Sequence, residues 1–71
     1  MATEIKAPMA GKVVSLLVSE GDAVEEDQDV VMLEAMKMET SVYAETGGKV
    51  IEIKVTPGAS VEEDDVLMII E

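Results

Sequence analysis

The sequence predicts an all-β fold in one small domain, and three observations carry that prediction. The chain repeats itself, since Glu4 to Glu34 overlays Ser41 to Glu71 without a gap at an offset of 37 residues. Its apolar residues fall in short runs rich in Val, Ile and Leu, bounded by glycine, proline and acidic clusters, which is a strand pattern rather than a helical one. Finally, 71 residues leave room for a single thin core, because a chain of this size hides only about 60% of its unfolded surface.

The overlay matches residue classes throughout. Ala7 falls on Ala44, Gly11, Lys12 and Val13 on Gly48, Lys49 and Val50, Gly21 on Gly58, and the run Val24 to Asp27 on Val61 to Asp64. Conservative pairs lie between them: Ile5/Val42, Val14/Ile51, Leu16/Ile53, Val30/Leu67 and Leu33/Ile70. Two units of about thirty residues are too few for a solenoid, so the halves are expected to complete one shared core, with residues 1–71 as one domain.

In chain order, Thr3 to Ala7 forms a first short strand, and Pro8 and Gly11 punctuate a turn. Lys12 to Val18 is the second strand. Its twin, Lys49 to Val55, alternates Glu52 and Lys54 with Ile51, Ile53 and Val55, so that trio is assigned to the core, and by the overlay so are Val14, Leu16 and Val18. Loops follow at Glu20 to Asp22 and at Pro57 to Ala59, where Gly21 and Gly58 supply the positive φ of a sharp reversal. The acidic clusters Glu25 to Asp29 and Glu62 to Asp65 come next. Counted from Asp22, the sixth residue is Asp27 rather than the glycine an EF-hand requires, so these clusters are read as solvated turns. Each leads into a nearly continuous apolar run, Val30 to Leu33 or Val66 to Ile70, as expected for strands with little solvent on either face.

Between the halves lies Leu33 to Glu39, whose residues all favour helix. Six or seven residues between two strands are too few for a stable helix, so a tight hairpin is predicted instead. Such a hairpin has no Gly, Asn or Asp at its tip. A local conflict of that kind tends to fall at a functional site, and Lys37 stands at its centre.

Composition narrows the chemistry. Histidine and cysteine are absent, which removes disulfides, thiol chemistry and every His-based catalytic arrangement. The formal net charge of -11 opposes binding to nucleic acid or anionic membranes. No apolar run approaches the roughly eighteen residues of a spanning helix, so no membrane insertion and a cytoplasmic location are expected.

The string Glu34, Ala35, Met36, Lys37, Met38, Glu39, Thr40 resembles the attachment motif of biotinyl domains, the biotin carboxyl carrier family, in which Ala-Met-Lys-Met surrounds the modified lysine. Ala7 to Gly11 resembles that family's first turn, and Glu20 to Val24 its loop after the second strand. The resemblance implies a flattened barrel of two four-stranded antiparallel sheets related by a pseudo-twofold, a barrel-sandwich hybrid, with Met36 and Lys37 central in an exposed turn.

It further implies that biotin protein ligase attaches biotin covalently to Lys37. Ala35, Met36 and Met38 would flank the site as recognition residues, with Glu34 and Glu39 as weaker candidates. The expected role is a non-catalytic carrier for the biotin carboxylase and carboxyltransferase, or decarboxylase, subunits of a biotin-dependent enzyme. In two places the chain departs from the family: Asp27 and Asp64 stand where glycine is usual, and the short link from Val18 to Val24 excludes the thumb-like insertion of some bacterial carriers. Aspartate tolerates left-handed geometry, so the turns are expected to survive. A lipoyl domain has the same fold but resembles Asp-Lys-Ala at its tip. A phosphopantetheine carrier needs an Asp-Ser-Leu at the start of a helix, and this chain has neither.

Overall fold

The offset of 37 that aligns residue classes also aligns strands. The computed structural model describes residues 2–71, and they form β1 (Thr3–Lys6), β2 (Gly11–Leu16), β3 (Ala23–Val24), β4 (Asp29–Ala35), β5 (Met38–Tyr43), β6 (Gly48–Ile53), β7 (Ser60–Val61) and β8 (Val66–Ile70). One antiparallel sheet has the order β1-β8-β6-β3 and the other β5-β4-β2-β7. Replacing each strand by its repeat partner turns the first order into the second, so the pseudo-twofold exchanges the sheets. This is the expected all-β barrel of two four-stranded sheets.

Backbone hydrogen bonds obey the same exchange. The Gly21 N–H donates to the Val50 carbonyl and the Gly58 N–H to the Val13 carbonyl, both at 2.7 Å. Asp27 N–H donates to Ala44 at 2.7 Å, and Asp64 N–H donates to Ala7 at 2.9 Å. These bonds join one half of the repeat to the other by continuing the β3-β6, β7-β2, β4-β5 and β1-β8 ladders. They let each half satisfy backbone groups that its own turns leave open.

The core is likewise assembled from repeat partners: Ile5 with Val42, Ala7 with Ala44, Val13 with Val50, Val24 with Val61, and Leu33 with Ile70 are all buried. No charged or polar side chain is buried among the described residues. With so few atoms to hide, the fold depends on matched aliphatic packing between two sheets rather than on polar networks.

The structure corrects one part of the expected core. Val14 and Ile51 are 40% and 46% exposed, and Val13 and Val50 take their places inside. The cause is a β-bulge in each half. Opposite β4 the register steps from Val13↔Leu33 to Ser15↔Met32, and opposite β8 it steps from Val50↔Ile70 to Glu52↔Ile69. Val14 and Ile51 therefore have no partner, and the extra residue reverses the alternation. Beyond the bulge Leu16, Ile53 and Val55 pack against the core and Val18 is buried, as expected.

A second pair of bulges explains the continuous apolar runs. Pairing passes over Val30 between Asp29↔Tyr43 and Val31↔Val42, and over Leu67 between Ile5↔Met68 and Lys6↔Val66. Consecutive residues on these strands are consequently buried together. A further correction concerns Ala23–Val24, which pairs with β6 as the two-residue strand β3 and is not simply loop. Two residues carry no periodicity for a sequence pattern to register.

Within each half two strands approach closely, β2 and β4 at Gly11 and β6 and β8 at Gly48. A Cβ on Gly11 would lie 2.5 Å from the Glu34 carbonyl oxygen, and one on Gly48 would lie 2.9 Å from that of Glu71 and 2.7 Å from Ile70 Cγ2. Both positions exclude a side chain for the same reason. The Gly11 contact brings the start of β2 against the turn end of the β4–β5 hairpin.

Candidate functional site

The hairpin is held by its strands rather than by its tip. β4 lies between β2 and β5, with Leu33 paired to Thr40, Glu34 to Glu39 and Ala35 to Met38. Pairing on both sides overrides the helical propensity of these residues, since tertiary context outweighs propensities of a fraction of a kcal/mol per residue. Met36 and Lys37 are left as the two central residues of the connection. Their φ values are +54° and +64°, the paired positive angles of a type I′ turn.

Such a turn normally takes Asn-Gly or Asp-Gly. Here methionine and lysine occupy left-handed backbone that costs an ordinary L-residue roughly 1–2 kcal/mol. The turn presents both side chains outward: Met36 is 89% exposed, and Lys37 is also exposed. The ion pair that the described residues contain joins Lys54 to Glu52 at 3.5 Å and leaves Lys37 out. The outcome is an exposed primary amine at the turn that closes the β4–β5 ladder.

The remaining sequence candidates divide by position. Met38 is 71% exposed beside the lysine, whereas Ala35 is buried next to the turn, where a Cβ on Gly11 would come within 3.2 Å of its own. The absence of a side chain on Gly11 is what lets β2 approach Glu34 and Ala35 here. Glu34 and Glu39 are exposed and directly opposite each other, a like-charge pair that mildly opposes the ladder.

The structure also brings in Met9, which sequence reasoning did not single out. It belongs to the β1–β2 turn and lines a shallow apolar groove with Ala35, Met36, Met38, Glu39 and Thr40. Nothing in the spacing of Met9 indicated this, because only the β2–β4 pairing carries that turn to the tip. A second groove, between edge strands β1 and β5, contains none of the tip residues.

Under the offset of 37 the counterpart of the hairpin lies where β1 and β8 pair, Thr3↔Ile70 corresponding to Thr40↔Leu33. The repeat thus provides one lysine-bearing connection between its halves.

Comparison with known proteins agrees with this geometry. The family described as biotin-requiring enzyme matches residues 3–70, nearly the whole chain. This chain belongs to that family. Among its relatives, the methylmalonyl-CoA carboxyltransferase 1.3S subunit of Propionibacterium freudenreichii subsp. shermanii is 62% identical over 37 residues, 52% of this chain and 30% of that subunit. The biotin carboxyl carrier protein of Streptococcus mutans is 46% identical over 41 residues, 58% of this chain and 32% of that protein.

Among solved structures, the urea carboxylase of Kluyveromyces lactis superposes with a TM-score of 0.94 at 32% identity, covering 100% of this chain and 6% of that one. The lipoyl domain of the 2-oxoglutarate dehydrogenase complex from Azotobacter vinelandii gives 0.80 at 30% identity, covering 96% of this chain and 94% of that domain. This chain spans only about a third, or less, of the curated relatives named here. The family and the carrier-type relatives favour biotin over lipoate as the attached group.

Proposed function

We propose that this domain carries biotin in amide linkage on Lys37 Nζ and moves carboxylate between the active sites of a biotin-dependent carboxylase, decarboxylase or transcarboxylase. The observation that carries the reading is Lys37 itself, an exposed amine without an ion pair among the described residues, on a two-residue turn whose strain serves no packing purpose. Strain of this kind persists where the surrounding structure over-determines it, and such places are commonly functional.

The residues present suit the group. Biotin protein ligase supplies an acyl-adenylate, and the neutral amine of Lys37 attacks its carbonyl carbon. The C–N bond forms, the acyl–phosphate bond breaks, AMP departs and the amine proton passes to solvent. The hairpin holds the Lys37 backbone at the turn and leaves its amine accessible, while Met36 and Met38 offer adaptable apolar contacts to the ligase and to the acceptor sites. Glu34 and Glu39 add negative charge at the edges of the same surface. When bound, biotin supplies a ureido nitrogen that accepts and surrenders carboxylate.

The domain's own contribution is tethering. An arm fixed at one point raises the local concentration of its cargo at every active site it reaches, without further contacts. The expected partners are biotin protein ligase and the biotin carboxylase and carboxyltransferase or decarboxylase components of a larger enzyme.

Intact mass and peptide mapping after co-expression with biotin protein ligase test the reading. One biotinyl group on Lys37, and none on Lys37→Arg, is the expected result. Label on Lys6, Lys12, Lys49 or Lys54, or unchanged labelling of the variant, overturns it. The likeness to a lipoyl domain over 94% of that domain gives the alternative a definite form. Co-expression with lipoate ligase in place of biotin ligase, read by the same mass measurement, separates the two.

A further inference from the structure

Sulfur in this chain is confined to methionine, since cysteine is absent. Among the described residues the methionines fall into two groups. Met36, Met38 and Met9 are 89%, 71% and 39% exposed and line one groove at the tip, whereas Met32 is half-buried and Met68 is fully buried. Among the described residues the exposed thioethers therefore cluster beside Lys37, and Met68 is shielded in the barrel interior.

We propose that Met36 and Met38, followed by Met9, form a reversible sulfoxidation site, and that its oxidation by peroxide slows attachment at Lys37. The second half of this proposal rests on the reading of Lys37 as the biotin acceptor. In the oxidation step a methionine sulfur donates an electron pair to one oxygen of hydrogen peroxide and the O–O bond breaks. The proton on the transferred oxygen passes to the departing hydroxide, which leaves as water. Sulfur is oxidised by two electrons and the peroxide is reduced by two. Methionine sulfoxide reductase, drawing on a dithiol, reverses the change.

The consequence follows from the type of surface altered. A thioether is apolar and deformable, which suits it to burial against a partner, and a sulfoxide is polar and stiffer. Burying that new dipole without a hydrogen-bond partner carries a desolvation cost each time a ligase covers the tip. The ladder below is untouched, because neither Met36 nor Met38 contributes to the buried core. Oxidation is thus expected to change recognition and leave the fold intact.

The test exposes the unmodified domain to graded hydrogen peroxide, removes the oxidant with catalase, and then adds biotin protein ligase, biotin and ATP. Peptide mapping is expected to show sulfoxide at Met36 and Met38 first and at Met9 later, with Met68 unchanged and the circular dichroism spectrum preserved. The initial labelling rate is expected to fall roughly fivefold or more. Treatment with methionine sulfoxide reductase restores it. In the double variant Met36→Leu and Met38→Leu, the ratio of oxidised to unoxidised rates moves towards one, whatever the variant's own rate.

Equal rates before and after oxidation, no recovery with the reductase, or oxidation of Met68 in step with the tip overturns the proposal. If unoxidised protein takes no label on Lys37, the reading beneath it has failed and the loading consequence falls with it. The order of oxidation still decides the site itself.

Discussion

Left-handed backbone occurs at two kinds of turn in this domain, and the residues placed there differ. Gly21 and Gly58 sit at φ +93°, Asp27 at +69° and Asp64 at +72°, all in connections that only reverse the chain. These are residues that accept positive φ at little or no steric cost. At the tip of the β4–β5 hairpin the same geometry falls on Met36 and Lys37, which do not. Where the backbone alone matters, the chain uses residues suited to the backbone. Where it does not, the side chains are what the position requires.

The largest expected effect comes from placing an unsuitable residue in a purely structural turn. Gly21→Val and Gly58→Val each put a β-branched side chain at φ +93°, where no neighbour lies within 4 Å of the added Cβ. The cost is therefore conformational rather than a clash, and should exceed about 1 kcal/mol. Denaturant midpoints equal to wild type would show that these turns relax freely, and the contrast with the tip would lose its basis.

A smaller effect of opposite sign is expected at the tip. Met36→Asn installs a residue that type I′ turns favour, and should raise stability by roughly 0.5–1 kcal/mol. The same change should slow biotinylation, because it removes an exposed apolar contact. Stability and labelling are then expected to move in opposite directions. A variant both less stable and fully labelled would mean that Met36 is there for packing.

Much of this contrast was legible in the sequence. The offset of 37 located the turns in pairs, glycine announced positive φ at Gly21 and Gly58, and the lack of any turn-forming residue around Lys37 marked the hairpin as a conflict. The bulges were not legible. Val14 and Ile51 are as apolar as the residues that displace them from the core, and a bulge is decided by pairing with β4 and β8, not by composition. Nor was the place of Met9. Its approach to the tip depends on the missing side chain of Gly11, which a linear reading registers only as punctuation.

The smallest effect is expected at the acidic turns, and it tests the comparison most sharply. Asp27 and Asp64 carry positive φ, and their N–H groups donate to the Ala44 and Ala7 carbonyls in the other half of the repeat. Asp27→Gly and Asp64→Gly remove the residual strain of a left-handed aspartate. They also release backbone freedom in the unfolded chain that opposes the gain. The two terms are of similar size, so stability should stay within about 0.5 kcal/mol of wild type, and labelling of Lys37 should be unchanged. If these substitutions instead stabilise as much as Met36→Asn does, aspartate is as poorly placed as methionine. Strain at the tip would then be an ordinary property of this fold's turns and would no longer point to the lysine.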